Sequence, residues 1–294
     1  MSNTSQIALL TPADGETMNQ QTDKPKKKEM NAGLLAAHAV RLTRMNGKTP
    51  LQIGAEKTKT ALDWIYRWGW SSPSTLDKLG GSARRGLAAR LVKNGLLRST
   101  RTESGGAVRG VPGFILTLTE TGQAEVERFR ENLLPYQLDQ YKVRQDKLRH
   151  DHLAQMATAK AVINGKIAGF KTEKELAEES AKGVKQPDVV WLLDNNLLGL
   201  EVELTGKFGR QLDQFVYGCV HALVGNASQR PRFHRIAIVT DSPAIKKRYE
   251  QAFAPGAKYQ VWSKNSRGYW VSENQVRTVP DNVKGRIQCQ LIED

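Results

Sequence analysis

The sequence predicts an α+β protein in two parts: a helical segment that ends in a β-hairpin, and a small mixed sheet flanked by helices. Apolar residues recur at helical spacing up to residue 94, and two short strand-like runs follow at 96–99 and 114–118. Farther along, two apolar runs flank a turn at 194–196, and helical and strand-like segments then alternate. A chain of 294 residues is long enough for two such parts, each with its own core.

Charge gives the first indication of a partner. The chain has 44 Lys and Arg against 30 Asp and Glu, which leaves a net charge of +14 at pH 7. Residues 1–150 carry about +10 of this excess. A polyanion such as DNA is therefore the expected partner, bound chiefly by the N-terminal half. A solubility role would produce the same composition, so motifs must decide between the two.

Other features of the sequence exclude several classes of protein. No stretch approaches the ~18 unbroken apolar residues of a membrane span, and residues 1–30 lack a basic start leading into an apolar run. We therefore expect no membrane insertion and a cytoplasmic location. The two cysteines, Cys219 and Cys289, stand alone in the sequence, which argues against a disulfide framework and against a zinc finger.

Composition also suggests how the chain divides. Residues 1–30 are polar, contain no aromatic residue and end in a run of lysines, so they are predicted to be a disordered basic tail. A first domain is expected over 31–135 and a second over 151–294. Between them, 136–150 is predicted to be a helical linker, part of a nearly continuous helix over 122–163 that is broken around Leu134-Pro135.

The first domain has the element order of a winged helix-turn-helix. Helical spacing predicts a helix before Trp70, a second short helix ends at Gly80, and Ser82 begins a third helix that Gly95 stops. Two short strands joined by a Gly-rich loop come next. The alternatives are a winged helix used for protein contacts and a helical bundle with a solvated basic face.

The third helix is the candidate recognition helix, because a major groove admits one helix that carries Arg and Lys toward phosphates and base edges. The loop between the two strands adds arginines among glycines, which let the backbone approach DNA closely. The predicted DNA-binding residues of this domain are Arg84, Arg85, Arg90, Lys93, Arg101 and Arg109.

Three acidic residues converge in the predicted hairpin of the second domain. Pairing about the turn at 194–196 sets Asp188 opposite either Glu201 or Glu203, and the two glutamates share one face of their strand. Like charges ~5 Å apart repel, so this cluster costs stability unless a divalent cation neutralises it. Oxygen ligands favour Mg²⁺ or Mn²⁺ over zinc. The alternative is a solvent-facing acidic hairpin matched by lysines.

The order Pro187-Asp188, then Glu201-x-Glu203, then a helix and an apolar strand resembles the PD-(D/E)XK restriction-endonuclease superfamily. The resemblance implies an α/β nuclease core in which Asp188 and Glu201 bind the catalytic metal. Glu203 stands where the superfamily usually has lysine, and it is either a further metal ligand or the general base for the attacking water. Lys207 is either the substitute for that lysine or a plain surface residue.

Helical residues near the hairpin complete the candidate site. His152, just after Asp151, either completes the metal site or shuttles a proton; the alternative is a helix-start cap with a packing histidine. Gln214 and Tyr217 share a face of the helix after the acidic strand, and the resemblance to the nucleases implies that they lie near the DNA. Tyr217 is either a nucleophile or a packing residue.

Adding the winged helix and the run Arg149-His150-Asp151-His152, roughly 60–270 of the chain resembles the MobC-type relaxases, in the replication-relaxation group of plasmid mobilisation proteins. The resemblance implies a metal-dependent endonuclease that nicks one strand at a plasmid transfer origin during conjugation. It also implies a partner in the coupling protein of a type IV secretion channel. Two other functions stay open: a non-enzymatic DNA-binding accessory or repressor with an inactive nuclease-like domain, and a double-strand-cutting restriction or transposition endonuclease.

Overall fold

The computed structural model describes residues 47–81, 86–177, 186–225 and 230–292. The predicted basic tail, residues 1–30, lies outside them. The chain divides into two compact units, Met1–Ile53 and Gly54–Asp294, and of the first unit only residues 47–53 are described. Within the described ranges, no helix combines the length and the apolar character that crossing a membrane requires.

The first elements follow the predicted order of three helices and a β-hairpin. Ser72 caps the second helix, because its Oγ accepts a hydrogen bond from the backbone nitrogen of Thr75 at 3.1 Å. The two strands pair antiparallel, and Ser71 bridges to Leu116 beside them. These elements are α1 (Pro50–Trp68), α2 (Pro73–Leu79), α3 (Leu87–Lys93), β1 (Leu97–Arg101) and β2 (Phe114–Leu118).

Helix α3 is amphipathic, as the sequence predicts. Leu87 and Leu91 are buried against the neighbouring helices, whereas Arg90 and Lys93 are exposed. The helix begins at Leu87, after Gly86 in a non-helical conformation, so the predicted continuous helix from Ser82 is wrong at its start; Ser82 itself lies outside the described residues. The positive face of α3 points away from the core and toward solvent.

The nearly continuous helix predicted over 122–163 is not formed. Helix α4 (Glu120–Glu127) ends early, and the predicted helical linker contains only two three-residue 3-10 turns before α5 (Leu148–Ile163) begins. The hydroxyl of Tyr66 accepts a hydrogen bond from the backbone nitrogen of Leu134 at 2.9 Å and donates one to its carbonyl oxygen at 2.8 Å. This tertiary contact replaces the helical partners of Leu134, and the following proline favours an extended backbone there.

The rest of the chain builds a five-stranded mixed sheet. The sheet order is β3-β4-β5-β6-β9; the first three strands are antiparallel, and β5, β6 and β9 are parallel. The elements are β3 (Gly169–Thr172), α6 (Glu173–Ala177), β4 (Val189–Leu193), β5 (Asn196–Val202), α7 (Gly209–Val224), β6 (Arg235–Thr240), α8 (Pro243–Ala252), β7 (Lys258–Lys264), β8 (Trp270–Thr278) and β9 (Ile287–Leu291).

The sheet differs from the sequence prediction at its edges. The strand predicted at 259–263 is present as β7, but it pairs with β8 in a separate two-stranded ribbon. Strands β3 and β9, which the sequence pattern does not reveal, form the two edges of the main sheet. Because edge strands are short and partly exposed, their sequences lack the continuous apolar run that identifies a central strand such as β6.

Each face of the sheet packs into its own apolar cluster. Leu200 of β5 belongs to a cluster with Leu153 of α5, on one face. Ile238 of β6 belongs to a second cluster with side chains of α7 and α8, on the other face. The first cluster also contains Leu62 of α1, so residues on both sides of the 136–150 segment share one core.

Candidate active site at the end of two strands

The hairpin of β4 and β5 has the first of the two registers considered from the sequence. Val189 pairs with Leu200 across a tight turn, in which Asp194 has φ 33, a left-handed conformation that aspartate tolerates. The register does not continue to the next residue, because the backbone nitrogen of Asp188 donates to the carbonyl oxygen of Leu200 at 3.0 Å, so Asp188 is not paired with Glu201 as the sequence predicts. Asp188 and Glu201 come from neighbouring strands at the same end of the sheet.

Glu201 and Glu203 lie on the face of the sheet that α7 and α8 cover. Leu200 and Val202 pack on the opposite face, and side chains alternate along a strand. Both glutamates are buried, with exposed fractions of 3% and 5%. We refer to Asp188, Glu201 and Glu203 together as the strand-end carboxylates.

A cation and a hydroxyl group engage Glu203. The ammonium of Lys207 forms an ion pair with one carboxylate oxygen, and the hydroxyl of Tyr249 donates a hydrogen bond to the other at 3.0 Å. The ammonium also lies 4.5 Å from the ring centroid of Phe215. Burial and the Glu203 carboxylate raise the pKa of Tyr249 above its usual range, so the phenol remains a donor. Lys207 thus belongs to the site and is not a plain surface lysine.

Asp188 is held from two directions. Its Oδ2 accepts a hydrogen bond from the backbone nitrogen of Val202 at 2.7 Å and lies 3.2 Å from Nε2 of His150, in the first turn of α5. The other ring nitrogen of His150 lies 3.0 Å from Oδ1 of Asp151. Burial lowers the pKa of His150, but its hydrogen bonds to Asp151 and Asp188 outweigh burial and raise the pKa to about 10. His150 is therefore a cation at neutral pH that balances Asp188.

His152, the histidine named from the sequence, lies elsewhere. Its ring stacks on Trp70 with the centroids 6.4 Å apart. Residues that are two positions apart on a helix point in different directions, and of the two histidines it is His150 that faces the sheet. A signal for it was present in the sequence: Leu153 and Ala154 are buried apolar residues, three and four positions after His150, and so mark the inward side of α5.

The strand-end carboxylates do not form a closed three-ligand cage. Within the described parts of the chain, no group of three or more His, Cys, Asp or Glu side chains is arranged to hold a metal ion. Both carboxylate oxygens of Glu203 are engaged by Lys207 and Tyr249. Asp188 and Glu201 lie at the same end of β4 and β5, and Oδ2 of Asp188 accepts the hydrogen bond from Val202.

The predicted DNA-binding residues of the first part are exposed where they are described. Arg90 and Lys93 lie on the outer face of α3, and Arg101 and Arg109 lie at the start and within the β1–β2 loop. Arg84 and Arg85 lie outside the described residues.

The β1–β2 loop reaches the start of α5. A Cβ atom added at Gly110, which has φ +75, would lie 3.3 Å from Cγ of Arg149. Arg149 forms an ion pair with Asp241, the residue after β6. Since the next residue, His150, contacts Asp188, the loop and the strand-end carboxylates are connected through two consecutive residues of α5.

Gln214 and Tyr217 face the β7–β8 ribbon. The side-chain nitrogen of Gln214 is buried and forms no hydrogen bond within the described residues. The ring of Tyr217 lies 6.4 Å from that of Tyr259 in β7, and the guanidinium of Arg277 in β8 lies 5.7 Å from its centroid. The described contacts of Tyr217 are therefore packing contacts with the ribbon.

Comparisons of this chain with protein-family models, with curated proteins and with solved structures find no match. The observations that bear on function are consequently those of the fold and the site. They consist of three acidic residues at one end of β4 and β5, a lysine that pairs with one of them, and a basic helix and loop connected to the same region.

Proposed function

We propose that the protein is a metal-dependent DNA endonuclease, with a winged helix-turn-helix that binds duplex DNA and a PD-(D/E)XK-like core that cleaves it. The placement of Asp188, Glu201 and Glu203 at the same end of the neighbouring strands β4 and β5 carries the proposal. The helix and the apolar parallel strand that follow β5 stand in the order that the sequence resemblance implies.

Asp188 and Glu201 are the residues that would hold Mg²⁺ or Mn²⁺. Carboxylate oxygens are the ligands these ions prefer, and Mg²⁺ commonly uses one or two protein carboxylates together with water and substrate phosphate oxygens. Asp188 and Glu201 would supply two such carboxylates from the ends of neighbouring strands. When bound, the metal would stabilise the negative charge that develops on the phosphodiester.

The superfamily usually has a lysine at the position of Glu203. Lys207 plays the role of that lysine. Glu203 holds the ammonium group at the end of β5, and Tyr249 fixes the carboxylate from the other side. A positioned ammonium group stabilises charge on a phosphate without rearrangement during the reaction. We assign Glu203 the role of positioning Lys207.

A pocket of about 120 Å³ beside Asp188 gives a phosphate room to approach. Its lining contains the basic side chains of Arg67, His150 and Lys174 and the acidic side chains of Asp151, Glu173 and Asp188. A phosphate oxygen that entered the pocket would have cationic groups within reach beside Asp188.

The winged helix would recognise the DNA site at which cleavage occurs. Exposed Arg90 and Lys93 on α3 suit the major groove, and the loop that carries Arg109 lies against Arg149 beside the site. In its specific form, the proposal is strand nicking at a plasmid transfer origin, with the coupling protein of a type IV secretion channel as partner. This form follows from the resemblance to the relaxases.

A plasmid relaxation experiment tests the proposal. Supercoiled plasmid carrying the cognate site should yield open-circular product with Mn²⁺ or Mg²⁺ and none with EDTA. Glu201→Gln should reduce nicking by at least about 100-fold, because a metal ligand is lost, while duplex affinity measured in EDTA stays within about twofold. Asp194→Asn is the matched control, since it removes an exposed acid from the same hairpin at the turn.

The same variants give a readout that does not depend on activity. Mn²⁺ should raise the thermal midpoint of the wild-type protein and of Asp194→Asn, but not that of Asp188→Asn or Glu201→Gln. Full nicking by Glu201→Gln would refute the site. Linear product in place of open circles would select an enzyme that cuts both strands.

A second candidate function, a DNA-binding accessory or repressor with an inactive core, is favoured by one observation. Both oxygens of Glu203 are engaged by Lys207 and Tyr249, so the third acid of the pattern is engaged within the protein. Under this candidate, cognate DNA binds with wild-type affinity, no EDTA-sensitive product forms, and Mn²⁺ leaves the thermal midpoint unchanged.

A further inference from the structure

Strands β7 and β8 form a ribbon that stands apart from the five-stranded sheet. Eight of the nine residues of β8 are exposed. A two-stranded ribbon is marginally stable by itself, so it needs a support. Tyr259 and Val261 of β7 are buried, and Nε1 of Trp262 donates a hydrogen bond to Oδ2 of Asp213 on α7 at 3.0 Å. Helix α7 therefore holds one side of the ribbon and leaves the other to solvent.

The tip of the ribbon displays two aromatic side chains. Tyr269 is 69% exposed and Trp270 is 40% exposed. The turn before them is ordered, because Oδ1 of Asn265 accepts hydrogen bonds from the backbone nitrogens of Arg267 and Tyr269, each at 3.0 Å. Large exposed aromatic residues on a rigid element are typical of a binding surface.

Basic side chains surround these aromatic rings. The ammonium of Lys264 lies 5.2 Å from the ring centroid of Trp270, and the guanidinium of Arg210 lies 5.9 Å from it. Residues 258–278 contain four Lys or Arg and a single acid, Glu273. Alternating aromatic and cationic groups are the features that bind unpaired nucleic acid, since bases stack on the rings and the cations contact the phosphates.

The ribbon also lies next to the proposed cleavage site. Helix α7 begins at Gly209, two residues after Lys207, and Arg210 in its first turn contacts the ring of Trp270. A DNA strand that separated from its complement near Lys207 would lie close to this surface. Charge complementarity and position thus both favour single-stranded DNA as the occupant.

We propose that the β7–β8 ribbon binds single-stranded DNA, with Trp270 stacking on a base while Lys264 and Arg267 contact phosphates. Its place beside the scissile bond rests on the proposed endonuclease function, but the binding itself does not. Duplex DNA hides its base faces inside the stack, so the ribbon should distinguish unpaired from paired DNA.

Fluorescence anisotropy with a labelled oligothymidine and with a duplex of equal length tests this, in EDTA so that no cleavage occurs. Trp270→Ala should weaken single-strand binding by at least about fivefold and duplex binding by less than about twofold. Trp270→Phe keeps an aromatic face and should restore most of the affinity. Val276→Ala is the matched control, because Val276 is 58% exposed on the same strand and cannot stack.

The phosphate contacts are measured separately by the salt dependence. Lys264→Ala combined with Arg267→Ala should reduce the slope of log affinity against log salt by about 1.4 for the single strand. An unchanged affinity in Trp270→Ala, an equal loss with the duplex, or an equal loss in Val276→Ala would overturn the proposal. These measurements are made without metal, so their outcome does not depend on whether the protein nicks plasmid DNA.

Discussion

The ammonium group of Lys207 pairs with the carboxylate of Glu203, four residues earlier in the chain and almost fully buried. The pair forms where β5 ends and the chain turns toward α7, so backbone geometry brings the two side chains together. Tyr249 of α8 binds the second oxygen of the same carboxylate. A buried negative charge is thereby paired with the lysine that the sequence offered as a substitute for the lysine of the pattern.

Removing Lys207 should destabilise the fold. In Lys207→Met, the buried Glu203 carboxylate keeps the Tyr249 hydroxyl but loses the ammonium group. This loss should lower the free energy of unfolding, measured with urea, by about 2 kcal/mol. Adding Glu203→Gln removes the unpaired carboxylate charge. The double variant should therefore lose less stability than the sum of the losses in the two single variants. Lys246→Met is the control, since its ion pair with Glu250 is largely exposed and should contribute less than about 0.5 kcal/mol. Strict additivity would contradict the pairing.

Substitution on α3 should affect DNA affinity uniformly. Arg90→Ala with Lys93→Ala removes two exposed cations from the candidate recognition helix, which should weaken duplex binding and lower the salt slope by up to about 1.8. Arg128→Ala with Lys166→Ala removes the same charge from exposed positions outside α3 and the β1–β2 loop. Equal losses in the two double variants would show that net charge alone binds the DNA.

Gln155 should be important for stability, because it links α5 to the first part of the chain. Its side chain is fully buried; Nε2 donates to the carbonyl oxygen of Trp70, and Oε1 accepts from Trp64 at 3.1 Å and from Ser71 at 2.8 Å. Gln155→Leu leaves these buried groups unpaired and should cost about 3 kcal/mol by urea unfolding. Exposed Gln251→Leu should change stability by less than about 0.5 kcal/mol.

The shared core also predicts how Gln155→Leu unfolds. Intrinsic fluorescence and far-ultraviolet circular dichroism should report one midpoint in the wild type and one lower midpoint in the variant. Two separate transitions, with only one shifted, would show that the parts on either side of 136–150 unfold independently.

Acid should destabilise the protein partly through Glu175. Burial raises the pKa of this carboxyl, but Arg67, Thr172 and Arg130 outweigh burial and hold the pKa below its ordinary value of 4.5. A lowered folded-state pKa stabilises the protein above about pH 4.5, and that stabilisation is lost as pH falls through the folded-state pKa.

Glu175→Gln measures this contribution. The variant should be about 2 kcal/mol less stable than the wild type at pH 7, because the charge-assisted hydrogen bonds to Arg67 are lost. The difference should shrink below pH 4.5, where the wild-type carboxyl begins to be protonated. A constant difference from pH 7 to pH 3 would show that Glu175 acts through packing and not through its charge.

Local sequence predicted the elements whose signals lie within a few residues. The turn that begins at Asp194 and the short strand before the Gly-rich loop stand in the structure close to where the sequence placed them. The pairing of Val189 with Leu200 follows from that turn, since turn geometry fixes strand register. The side-chain partners Tyr66 and Tyr249 lie far along the chain from the groups they bind and gave no such signal.

The sequence by itself determined the elements with strong local patterns, the basic surface and the acidic residues of one hairpin, because periodicity, turn chemistry and charge are local properties. Tertiary structure alone decided that His150 contacts Asp188, that Lys207 and Tyr249 engage Glu203, and that β7 pairs with β8 outside the main sheet. Each of these depends on packing between segments distant in the chain, where burial and hydrogen-bond satisfaction outweigh local preference.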